Sequence, residues 1–283
     1  MKFLEEISIR KPLFGKEVEF VGYEEENGKF KESVEDAYEL GRKLEKIFNL
    51  YDPESELSKL NAKRTKRVSD HLLKVIKEAL VVCQKTHGEY DISLGRAFLE
   101  RKSGKQISSL GCNYKEIEIN GNEITLSNSQ ILLDLGSIAK GYIADMMANT
   151  LMERGVKNAL IDARGDMRII GKNKIEIEIQ HPRKKEQAIK TITLSDCAVA
   201  TSGDYNQYWG SFDQTHILNK KRSISVTVIA PTLTIADLYA TAIFVTSDKS
   251  IKSLIEGIDI KAMTINDKME IEYYNSFEDV SNG

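Results

Sequence analysis

The sequence offers little that would staple it covalently, anchor it in a membrane or draw it to a polyanion. Of its 283 residues only three are cysteine, four proline, four histidine and one tryptophan. Cys83, Cys112 and Cys197 lie far apart and are odd in number, which argues against a disulfide framework and gives no zinc or dithiol spacing. Cys83 falls in an apolar helical pattern and is expected as a buried structural thiol. There is no HxH, HExxH or CxxC and no convincing GxSxG elbow, so neither a zinc enzyme nor an elbow-type serine hydrolase is indicated. No stretch approaches the roughly 20 apolar residues of a transmembrane segment, and MKFLEEISIRKPLFG has no run of signal-peptide length. As it stands the chain is expected to be soluble and cytoplasmic. A formal charge of -3 gives no net attraction to nucleic acid, which is not expected as a partner.

What is present is an interleaving of helical and strand patterns with no repeat and no obvious linker. Apolar spacing predicts a helix over Ser33–Leu50 behind a Ser N-cap, and another over Ser69–His87 that stops at Gly88. Lys115–Ile119 and Glu123–Leu126 alternate around Asn120-Gly121, a hairpin signal. Ile131–Leu135 is a strand candidate, followed by a helix over Ser137–Arg154 and a buried strand over Asn158–Ala163. Met167–Ile170 and Lys174–Gln180 read as a hairpin across Gly171. Ile224–Ala230 is a β-branched strand, and Thr234–Thr246 a helix capped by Thr234. Lys261–Ile265 and Met269–Tyr274 read as a final hairpin, and Ser276–Gly283 as a frayed tail. Hairpins mixed with helices predict an α+β fold of mixed or antiparallel sheets with packed helices, in one domain spanning 1–283.

Three segments carry residues suited to chemistry. In LDLGSIAKG, Asp134 ends an apolar stretch, and Gly136, Ser137 and Lys140 occupy the turn and first helical turn after it. Unpaired N–H groups at a helix start favour anions, and Lys140 is placed to reach the same point. Plain helix capping accounts for the segment equally well. In TIADLYAT, Asp237 and Thr241 stand four apart on one helix and share a face. Their oxygens suit a hard cation such as magnesium, which would offset the cost of an acidic group on an apolar helix. The alternative is an Asp complementing the helix dipole. In AVATSGDYNQYW, Thr201, Ser202, Gly203 and Asp204 are expected to form a polar turn after a short strand, with Tyr205, Tyr208 and Trp209 adding aromatic surface. His216, in THIL, is either a base or a satisfied structural imidazole.

In order along the chain, LYDPESELSKLN (Leu50–Asn61), YDISLGRAF (Tyr90–Phe98), LDLGSIAKGYIADMMANTLMERGVKNALIDARGD (Leu133–Asp166), AVATSGDY, THIL and ISVTVIAPTLTIADLYATAIFV (Ile224–Val245) resemble the ApbE family, the FAD:protein FMN transferases. The resemblance spans roughly Pro12 to Phe244 and implies an ApbE-like, T-fold-like architecture, in one domain or in two lobes with FAD and metal between them. It implies FAD as substrate, Mg²⁺ as cofactor, and transfer of FMN through a phosphoester to a Thr or Ser of an acceptor flavoprotein. Carried onto matching positions, Asp134 and Lys140 contact the flavin nucleotide. Phe14, Ser55, Gly95 and Phe98 line the FAD site with Thr201, Ser202 and Gly203. The Ser137 carbonyl, Asp237 and Thr241 hold the metal, and His216 and Asp237 are the catalytic candidates. FAD hydrolysis to FMN and AMP, and flavin binding without catalysis, are the competing functions. The chain departs from the family at Asn219-Lys220-Lys221-Arg222, where DPRTG is expected, at Arg164 in place of a glycine, at Phe14-Gly15-Lys16 in place of MGT, and in a shortened segment after Phe98.

Overall fold

β13 (Ser223–Ala230) is buried at every residue, as a strand rich in Ile and Val is at the centre of a sheet covered on both faces. The computed structural model describes residues 5–24, 29–105, 113–205, 208–209, 211–215 and 222–281. Among these, β13 pairs on one side with β14 (Lys261–Asn266), which pairs with β15 (Ile271–Tyr274). On the other side lie β10 (Ala198–Gly203), β7 (Met167–Ile170), β6 (Ala159–Asp162), β2 (Lys16–Glu24) and β1 (Glu5–Leu13). The described residues thus form one eight-stranded sheet, antiparallel at every pairing.

Successive strand residues point to opposite faces, and two cores result. On one face Ala198, Ala200, Val226, Val228 and Ala262 join the larger core under α1 (Lys29–Phe48), α5 (Ala139–Glu153) and α6 (Leu233–Val245). On the other, Val199, Ile229, Met263 and Ile265 pack under a separate hairpin of β8 (Ile175–Gln180) and β9 (Ala188–Leu194). Each fully buried Val, Leu, Ile or Phe on these faces contributes about 1.5–3 kcal/mol relative to leaving it in water. Beyond α1 sit α2 (Glu56–Lys63), α3 (Asp70–Lys85) and a three-stranded sheet of β3 (Thr65–Arg67), β5 (Glu123–Leu126) and β4 (Ile117–Asn120). No helix among the described residues is long and apolar enough to cross a membrane.

The α+β class, α3 with its Ser69 cap, the β4–β5 hairpin and the β14–β15 hairpin agree with the sequence pattern. Cys83 is buried within α3, and burial pushes its thiol up to about 12. Other expectations are corrected. Ser33 lies inside α1, donating its hydroxyl to the Lys29 carbonyl. Residues 131–135 form no strand: Asn61 brackets Leu133 from both sides with its amide, and the 92–95 backbone takes most of the remaining pairing. β7 and β8 are not a hairpin, because the chain leaves the sheet at Gly171 (φ 88°) and β8 pairs with β9 instead. α6 is capped by Thr232, whose side chain accepts from the Ile235 N–H. Thr234 instead donates its hydroxyl and N–H to Asp145. The tail is not simply frayed: Phe277 begins a short 3-10 helix to Ser281, is fully buried and stacks on Tyr273.

Candidate active site

The start of α5 is the pivot of a cleft of about 1450 Å³ between the larger core and the β8 strand. Asp134 precedes it, its carboxylate accepting the Gly136 N–H at 2.9 Å in an Asx-type turn. Burial pushes the Asp134 carboxyl above the usual range, against the lowering effect of that bond. Ser137 shares a 2.7 Å hydrogen bond with the phenol of Tyr90, which burial holds well above the ordinary tyrosine value.

α5 and α6 approach closely at Gly141, where a Cβ would fall on the Leu233 carbonyl. This contact sets the chemistry of the site. In a regular helix the Gly141 N–H would bond to the carbonyl four residues earlier, at Ser137. It donates instead to Asp237 Oδ2 on α6 at 3.1 Å. Among the described residues the Ser137 carbonyl therefore has no helical partner. Asp145, one turn further along α5, accepts from the Leu233 and Thr234 N–H groups at the start of α6.

Lys140 projects between two buried carboxylates. Its ammonium pairs with Asp166 and lies 3.6 Å from Asp237 Oδ2. Burial lowers the Lys140 ammonium below the usual lysine range, Asp237 pulls the other way, and Arg164 adds to the lowering. Asp166 also accepts the Thr201 N–H at 2.9 Å, which ties the end of β10 to the same cluster. Thr201, Ser202 and Gly203 are not a turn but the last residues of β10, held there by pairing with β13, and Ser202 meets Thr241 of α6 at 3.0 Å between hydroxyl oxygens. Gly203 leaves room for the Tyr205 ring, which a Cβ would strike.

Phe14, Gly95, Phe98, Asp134, Ser137, Lys140, Thr201, Ser202, Gly203, Asp237 and Thr241 all line this one cleft. Ser55 is not among its lining residues: it is buried, and its hydroxyl caps α2 by accepting the Ser58 N–H. His216 lies outside the described residues, as do Asn219, Lys220 and Lys221. Asp166 and Arg164 are cleft residues to which the sequence reading assigned no role. The signal available for them is Ala163-Arg164-Gly165-Asp166 directly after a buried strand, the same strand-to-turn pattern that drew attention to Asp134.

Oxygen atoms are what this cluster offers: the Asp237 carboxylate, the Thr241 hydroxyl and the released Ser137 carbonyl. That set fits a hard cation such as Mg²⁺. Among the described residues no group of three or more His, Cys, Asp or Glu forms a metal cluster, and a set built on one carboxylate and two neutral oxygens is not of that kind.

The fold has close parallels among solved structures. The ApbE protein of Thermotoga maritima superposes with a TM-score of 0.85 at 25% identity, over 99% of this chain and 100% of that one. The flavin transferase ApbE from Vibrio cholerae shares the fold with a TM-score of 0.80 at 23% identity, over 98% and 99%. A curated relative, the FAD:protein FMN transferase of Vibrio cholerae, is 27% identical over 265 residues, covering 80% of this chain and 78% of that protein. The protein of the same name from Escherichia coli K12 is 23% identical over 78% of this chain and 73% of its own length. The ApbE family model matches residues 14–264, and the chain belongs to the ApbE family.

Proposed function

We propose that this protein is an FAD:protein FMN transferase that cleaves the FAD pyrophosphate and attaches FMN by a phosphoester to a Thr or Ser of an acceptor flavoprotein. The observation that carries this reading is the junction of α5 and α6, where Gly141 hands its N–H to Asp237 and leaves the Ser137 carbonyl, Asp237 and Thr241 as oxygen donors on one cleft. Those three residues would hold Mg²⁺, which when bound neutralises charge on the phosphate oxygens.

The chain's own residues have separate tasks. Asp134 and Lys140 orient the nucleotide, and Lys140 brings a cation that Asp166 and Asp237 hold in place. Thr201, Ser202 and Gly203 form the facing wall, where backbone and hydroxyl groups fix the ligand's position. The acceptor hydroxyl oxygen forms a new bond to the FMN phosphorus while the bond from that phosphorus to the bridging oxygen breaks, and AMP leaves with that oxygen. The hydroxyl proton needs a base; His216 is our assignment, with Asp237 the other candidate.

Incubating the purified protein with FAD, Mg²⁺ and a candidate acceptor flavoprotein, then analysing small products and intact masses, tests the reading. Transfer gives AMP and an FMN-modified acceptor in equal amounts. Free FMN with AMP identifies a pyrophosphatase instead, and intact FAD identifies a binding protein without catalysis.

A further inference from the structure

Two residues on the rim of the cleft hold backbone conformations that their side chains disfavour. Phe14 has φ 56° and Arg164 φ 67°, in the left-handed region where a Cβ crowds the backbone and glycine is the usual occupant. Such strain persists only where the surroundings over-determine it. For Phe14 they do. Its N–H donates to Glu45 Oε1 at 2.7 Å, its carbonyl accepts from Arg164 Nη1 at 2.8 Å, and its ring packs against the larger core.

The Arg164 backbone is set by the tight turn from β6 to β7, where the Ala163 N–H donates to the Asp166 carbonyl and the Gly165 N–H to Asp162 Oδ1, but its side chain has much less to hold it. It is exposed, and among the described residues its side chain makes one hydrogen bond, to the neutral Phe14 carbonyl, and pairs with no carboxylate. Yet it lines the cleft together with Lys140, close enough that its charge disfavours the Lys140 ammonium. Asp166 and Asp237 already meet the Lys140 charge, whereas no carboxylate among the described residues meets that of Arg164, which is left to attract an anion entering the cleft. A guanidinium presents five N–H donors in a fork that matches phosphate geometry, and only one terminal nitrogen is engaged by Phe14.

We infer that Arg164 is a specificity-determining residue that binds a phosphate group of the dinucleotide with its remaining N–H donors. The inference rests on the dinucleotide reading of the cleft given above and adds a second cation beside Lys140. Glycine at this position would relieve the backbone strain and remove the cation at once, so stability and phosphate recognition are expected to move in opposite directions.

The test compares wild type with Arg164→Gly and Arg164→Lys for FAD binding, riboflavin binding and Tm. Riboflavin carries the flavin ring without phosphate. Expected for R164G are an unchanged or raised Tm, FAD binding weakened by about tenfold and riboflavin binding unchanged, with R164K between wild type and R164G for FAD. A lower Tm with FAD affinity intact would make Arg164 a strut for the Phe14 turn and overturn the inference. Equal losses for FAD and riboflavin would overturn it too, because the phosphate would not be what is read. Failure of the wild type to bind FAD would remove the dinucleotide reading and this inference with it.

Discussion

Asp237 faces three claims at once: the Gly141 N–H, the Lys140 ammonium and the proposed cation. It is buried, so its charge needs these partners. Asp237→Ala removes the only charged member of the proposed donor set, and metal-dependent turnover is expected to fall by at least about 10²–10³-fold. Retained activity at any Mg²⁺ concentration would contradict the donor set. Asp134 gives a prediction of the opposite kind. A carboxyl whose pKa is raised by burial binds its proton more tightly in the folded state, so its contribution to stability is present at low pH. That contribution is lost as pH rises from the ordinary Asp value of 3.8 through the raised one. Asp134→Asn keeps an oxygen for the Gly136 N–H and escapes this loss. The variant is therefore expected to have a higher Tm than wild type at pH 7, with the difference closing below about pH 4; a pH-independent difference would count against the buried carboxyl. At this scale the readable residues were those set by local geometry. Asp134 and Lys140 stand at a helix start, and Asp237 and Thr241 share a helix face by spacing alone. Asp166 carried only the signal of a turn after a buried strand, and its direction was not readable, since that depends on a turn at positive φ (Arg164 and Gly165) whose course is settled by the sheet.

Between elements, the cleft depends on how near α5 comes to α6. Gly141 is the contact point, and a methyl group there would meet backbone that cannot swing aside. Gly141→Ala is expected to destabilise the protein by about 1–3 kcal/mol, lowering Tm by several degrees, and to reduce turnover because the N–H that holds Asp237 shifts with the helix. Melting curves and steady-state assays on the same preparation check both; an unchanged Tm would mean the helices are not in contact there. Elements defined by a single periodic run were visible in the sequence: α3 with its Ser69 cap and the hairpin around Asn120-Gly121. Elements defined by a distant partner were not. Residues 131–135 look like a strand because they are apolar, but the Asn61 side chain supplies the bonds a neighbouring strand would have made. β7 and β8 look like a hairpin because Gly171 separates them, but β7 is retained between β6 and β10.

On the scale of the molecule, the two cores share one sheet, and strands such as β13 and β14 contribute side chains to both. We propose that residues 1–283 act as one domain, and calorimetry is expected to show a single unfolding transition; two separated transitions would assign the cores to independent units. The cleft gathers residues from β1–β2, α5, β10 and α6, so the site exists only when this whole arrangement is assembled. Family membership was readable from the ordered motifs, whereas the closure of the cleft by the β8 strand was not, because among the described residues β8 and β9 pair only with each other. The central claim is that the cleft moves FMN from FAD to a protein hydroxyl. Its most direct test is the intact mass of an acceptor flavoprotein after incubation with this protein, FAD and Mg²⁺. The account predicts a gain of one FMN less one water on a Thr or Ser, absent with Asp237→Ala. An acceptor of unchanged mass while FAD is consumed to FMN and AMP would contradict it.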